Sequence, residues 1–100
     1  MDTEIISVLN KELKLKADLG YSYYLDIIRN FKEYEDYKEI NEEKEYKHQK
    51  YNIHTEILWD DEPEGKIRVF IEVRRPKLFF FSKKVRGYIL IDVGNGVTKT

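Results

Sequence analysis

Cysteine is absent from the chain, so disulfides and thiolate zinc sites are excluded and nothing points to an oxidising compartment. Proline occurs twice and glycine five times, which leaves no Pro-rich or Gly/Ser linker, and no segment repeats another. Long apolar runs are missing too. The stretch Met1 to Leu19 is broken by Asp2, Glu4, Lys11, Glu12, Lys14, Lys16 and Asp18, so it reads as neither a secretory signal nor a membrane span. A cytoplasmic location is the resulting expectation.

Catalytic signatures are equally scarce. Ser7, Ser22 and Ser82 lack a nucleophile-elbow context. Gly94-Asn95-Gly96 follows a strand but leaves no room to open a helix, so it is not a phosphate loop. Asp60, Asp61, Glu62 and Glu64 lack the calcium-loop spacing and its twelfth-position carboxylate. Paired carboxylates need one desolvated member to act as acid and base, and hairpin tips are wet. A protein that is not an enzyme and carries no cofactor is expected.

What the sequence does contain is alternation. Tyr51, Ile53, Thr55, Ile57 and Trp59 fall on one face of an extended segment, with Asn52, His54, Glu56 and Leu58 on the other, because successive strand side chains point to opposite sides. A second run sets Ile67, Val69, Ile71 and Val73 against Lys66, Arg68, Phe70, Glu72 and Arg74. A third sets Val85, Gly87, Ile89, Ile91 and Val93 against Arg86, Tyr88, Leu90 and Asp92. These runs predict three strands with one shared apolar face and a well-specified register. Asp60 to Gly65 joins the first two as a hairpin loop in which Gly65 supplies any positive φ. Asn95-Gly96 is a hairpin signal, and Val97 to Thr100 leave room for a short fourth strand.

Upstream, Asp2 or Thr3 can cap a helix whose Ile5, Ile6, Leu9 and Leu13 lie at helical spacing, with its end at Asp18 to Gly20. Ser22 can cap a second helix lined by Tyr24, Ile27, Ile28, Phe31 and Tyr34. Lys32 to Lys50 is dense in charge, and the second helix is expected to end between Tyr37 and Glu42 and give way to a mobile loop. Two amphipathic helices laid on one face of an antiparallel sheet bury both apolar stripes at once. The fold expected is therefore α+β, a single domain over residues 1–100 of order ααβββ, with two N-terminal helices on one face of a three- to four-stranded antiparallel meander.

Binding surfaces follow from what such a fold leaves uncovered. Net charge is only -1, yet Glu56 to Glu64 holds five acidic groups and no basic ones, while Lys66 to Arg86 holds eight basic groups against Glu72 alone. Two helices cannot cover both sheet faces, so Arg68, Phe70, Arg74, Arg86, Tyr88 and Leu90 form a candidate contact surface with the arginine and aromatic character of protein interfaces. The partner expected is another protein or a second copy in a homodimer, as for a small inhibitor or immunity-type module.

The alternative is an anionic ligand, a single-stranded nucleic acid or a membrane surface, bound by the basic and aromatic segment 74–86 through Arg74, Arg75, Lys77, Phe79, Phe80, Lys83, Lys84 and Arg86. The bland reading of that segment has Pro76 kinking the strand, Leu78 to Phe81 partly in the core, and Lys83-Lys84 forming the turn. A sequence pI of about 6.1 weighs against a dedicated nucleic-acid binder. The two histidines, His48 and His54, with Glu56 beyond, invite a metal-site reading. Strand neighbours two apart are separated by about 6.5 Å along the chain, however, so they converge poorly and no metal site is expected.

Overall fold

The computed structural model describes residues 3–30, 37–62, 64–78, 81–93 and 97–99. Two helices, α1 (Thr3–Asp18) and α2 (Tyr21–Arg29), precede five strands: β1 (Lys38–Tyr46), β2 (Gln49–Trp59), β3 (Ile67–Leu78), β4 (Phe81–Ile91) and β5 (Val97–Lys99). The strands form one antiparallel meander in the order β1-β2-β3-β4-β5. Both helices lie on the same side of it, as the alternation requires.

Burial follows parity. Ile53, Ile57, Ile67, Val69, Ile71, Val73, Ile89 and Ile91 are completely buried beneath Ile5, Val8, Leu9 and Leu13 of α1 and Tyr21, Tyr24 and Ile28 of α2. Removing this surface from water at about 25 cal/mol per Å² is the main force joining the two layers. Helix α1 crosses β3 and β4, and Gly87 permits the close approach: a Cβ there would stand 3.3 Å from Leu13 Cδ1. Helix α1 ends as expected, with Gly20 at φ 83° and its amide donating to the Ala17 carbonyl at 3.3 Å.

Several local expectations are corrected. Helix α2 begins at Tyr21 after Gly20, with no side-chain cap from Ser22, and ends at Arg29; Phe31 and Tyr34 lie outside the described residues. The charged stretch expected to hold the helix end and a mobile loop is instead the edge strand β1, paired residue for residue with β2 from Lys38↔Ile57 to Tyr46↔Gln49. At Pro76 the expectation holds: a register irregularity falls between Arg75 and Leu78, and β3 resumes to Leu78. Lys83 and Lys84 lie inside β4, opposite Arg75 and Arg74, so they do not form the turn. In the β2–β3 loop the positive φ belongs to Glu64, at 69°, and not to Gly65. Val93 lies beyond the end of β4 and is exposed.

Candidate functional site

The face of the sheet turned away from the helices carries the even-numbered residues of β2, β3 and β4 and the odd-numbered residues of β1. Register aligns them in rows across the strands: Glu43, Asn52, Arg74 and Lys84; Asn41, His54, Glu72 and Arg86; Glu39, Glu56, Phe70 and Tyr88; and Leu58, Arg68 and Leu90. All six residues of the expected contact surface, Arg68, Phe70, Arg74, Arg86, Tyr88 and Leu90, therefore share this face on two adjacent strands.

Their side chains are mutually ordered. Phe70 and Tyr88, directly opposite one another, stack with ring centroids 6.3 Å apart and planes 5° from parallel. The Arg68 guanidinium lies over the Tyr88 ring, 5.1 Å from its centroid, and its Nη2 pairs with Asp60 Oδ1. Glu72 is bracketed by Arg86 Nε at 3.4 Å and Lys84 Nζ at 3.8 Å. Arg74 is exposed and has no carboxylate partner among the described residues. A depression of about 460 Å³ lies over Asn41, Asn52, His54, Glu72 and Arg74.

Charge on this face is divided. On the β1–β2 half Glu39, Glu43, Glu45 and Glu56 outnumber Lys50, which pairs with Glu43 at 3.7 Å, while on the β3–β4 half Arg68, Arg74, Lys84 and Arg86 outnumber Glu72. At the junction of β1 and β2, His54 Nδ1 lies 2.7 Å from Asn41 Oδ1. Its Nε2 lies 3.1 Å from Glu56 Oε1 and 3.2 Å from Glu39 Oε1, so His54 and Glu56 do converge, contrary to expectation, because their side chains lean toward each other along the strand. Glu39 and Glu56 are direct cross-strand partners, so the third member comes from a strand that the sequence pattern does not announce.

The residues of the basic, aromatic segment are divided between faces. Arg74, Lys84 and Arg86 are on the open side. Arg75 is on the helix side, where Nη2 contacts Glu4 Oε2 at 3.1 Å and donates to the Tyr51 hydroxyl at 3.2 Å, with the guanidinium 5.7 Å from the Tyr51 ring centre. Lys83 is exposed and pairs in register with Arg75. Lys77 belongs to β3, with its side chain outside the described residues, as are Phe79 and Phe80 entirely.

A second polar cluster, also unannounced, lies beneath the sheet. Glu12 occupies the apolar stripe of α1 and is completely buried. Lys44 Nζ contacts its two oxygens at 3.0 and 3.1 Å, the Tyr46 hydroxyl donates to it, and Lys16 Nζ is 3.5 Å away. Lys16 also reaches Glu42 at 3.0 Å. Burial pushes the Glu12 carboxyl up, but the Tyr46 and Lys44 hydrogen bonds and the charges of Lys44 and Lys16 outweigh it and hold the group below its ordinary value. Burial, then the bond to Glu12, pushes the Tyr46 phenol well above its usual range. The spacing of Glu12 with Ile5, Val8, Leu9 and Leu13 was the available signal, a carboxylate on a helix's inward stripe.

Helix α2 is anchored by phenols. The Tyr21 hydroxyl donates to the Gly65 carbonyl at 2.9 Å and Tyr24 to the Lys16 carbonyl at 2.6 Å. Burial raises both groups above their ordinary value. These contacts fix the helix layer and leave the opposite face untouched. No helix among the described residues is long and apolar enough to cross a membrane. Comparison with protein-family models, with curated proteins and with solved structures returns no match, so the site's own chemistry carries the functional argument.

Proposed function

We propose that the protein is a non-catalytic interaction module whose open sheet face docks a protein partner, and that the partner it fits is a second copy of the same chain. The observation that supports this is the division of charge on a face bearing Phe70, Tyr88 and Leu90. A two-fold axis lying between two such faces and parallel to the strands sets β1 of one copy over β4 of the other. Glu43 then opposes Lys84 directly, and Glu39 and Glu56 lie over Tyr88 and Phe70, one row from Arg86 and Arg68, each contact being made twice. Closed two-fold pairing of a self-complementary patch is the commonest way a soluble protein assembles, and opposite potentials fix register and suppress other pairings. An axis perpendicular to the strands in the same plane would set acid over acid, which favours the first arrangement.

Sedimentation equilibrium tests this across a wide concentration range. The wild type is expected to pass from monomer to dimer in the micromolar range and to dissociate as salt is raised, since exposed charges are screened within about 8 to 10 Å at ordinary ionic strength. The double variant Arg68→Glu/Arg86→Glu should remain monomeric with unchanged far-ultraviolet circular dichroism. A wild type that stays monomeric at every concentration, or a charge-reversed variant that dimerises as before, contradicts the proposal. Binding of a larger protein by a monomeric chain would replace the second copy by a different partner.

A further inference from the structure

We infer that Glu39, His54 and Glu56 form a binding site for a divalent zinc-class cation on the β1–β2 half of the open face. Asn41 Oδ1 is a carbonyl oxygen and only accepts, so His54 Nδ1, 2.7 Å from it, carries the proton. Nε2 is then left facing two carboxylate oxygens, at 3.1 and 3.2 Å. Those carboxylates belong to residues directly opposite one another in an antiparallel pair, an arrangement in which like charges repel. Something positive belongs at their meeting point, and two species supply it there: a second proton on the ring or a metal ion.

The geometry suits the metal. Zinc bonds to imidazole nitrogen and carboxylate oxygen at about 2.0 to 2.2 Å, and a tetrahedron with such bonds has an edge of roughly 3.3 Å between ligand atoms. Two of the three edges already match, and all three donor atoms lie within 4.8 Å of one another. One neutral imidazole and two carboxylates balance a charge of +2. The Nδ1–H to Asn41 contact is the outer hydrogen bond that zinc-bound histidines make, which fixes the tautomer and aims Nε2. Calcium is disfavoured, because it takes six to eight oxygen ligands at longer range. Glu39, His54 and Glu56 are partly open to solvent, so water completes the shell and exchange is fast. The β-hairpin makes the site by pairing register alone: Asn41 lies opposite His54, and Glu39 opposite Glu56.

Calorimetric titration of the full chain with zinc chloride tests the inference. One ion per chain with a micromolar dissociation constant is expected, and the His54 Nε2 resonance should shift while Nδ1 keeps its proton. Asn41→Ala should weaken binding by about tenfold. His54→Ala and Glu56→Gln should weaken it more, and His48→Ala, in the exposed turn, should leave it unchanged. Millimolar or weaker binding by the wild type, wild-type affinity in both His54→Ala and Glu56→Gln, or loss confined to His48→Ala would overturn the site. Because the second copy and the ion compete for Glu39 and Glu56, repeating the titration on Arg68→Glu/Arg86→Glu separates the two proposals: the three ligands are untouched and free of a partner's cations there, and one ion per monomer is still expected.

Discussion

A carboxylate with no solvent exposure is costly unless its lone pairs are filled, and Glu12 fills them with Lys44, Lys16 and the Tyr46 hydroxyl. This residue joins α1 to the edge strand where aliphatic packing does not. Its lysine partners keep some solvent contact, so removing the acid does not strand them completely. Glu12→Gln should lower unfolding stability by roughly 2 to 4 kcal/mol, read by urea denaturation at neutral pH. The pH dependence has a definite sign. A carboxyl held below its ordinary value of 4.5 in the folded state gives stability that is present above that value and is lost as pH falls through the depressed one. The wild type should therefore lose part of its advantage over Glu12→Gln on acidification below about pH 4.5. An advantage that is constant from pH 7 to pH 3 would remove Glu12 from this role.

Among the elements, β1 shows why some of the fold was illegible. Strands β2, β3 and β4 follow directly from period-two burial, and the open-face positions 68, 70, 74, 86, 88 and 90 follow with them. Strand β1 turns Ile40, Glu42, Lys44 and Tyr46 toward the helices, so its inward row has ion-pair partners where the others have aliphatics. Charged side chains on an edge also discourage unwanted strand pairing, and the outward Glu39, Glu43 and Glu45 complete a segment that looks like a solvated helix or loop. The turn hides the strand further. Lys47 and His48 hold φ of 49° and 65°, the positive values that mirror-image hairpin turns require and that Asn-Gly normally advertises. Supplying that signal as Lys47→Asn/His48→Gly should raise stability by about 0.5 to 1 kcal/mol and the melting temperature by several degrees, measured by thermal unfolding. A lower melting temperature would mean that the turn has a different geometry. The ligand cluster escaped for the same reason, since Glu39 meets His54 and Glu56 only once β1 is known to be a strand.

For the molecule as a whole, the helices bury one face of the meander and the other face is left with organised aromatics and segregated charge. Helix coverage was legible because one row in each of β2, β3 and β4 is far more apolar than the other; the sorting of charge into two halves was not, because most of its acidic half depends on β1. Amide chemical shifts followed during dilution test the docking claim most directly. If two open faces meet, dilution should move the resonances of Arg68, Phe70, Arg74, Arg86, Tyr88 and Leu90 together with Glu39 and Glu43, and should leave α1 and α2 unmoved. Shifts centred instead on the exposed helix-side residues Leu15, Leu19 and Tyr23, or no shifts at any concentration, would contradict the account.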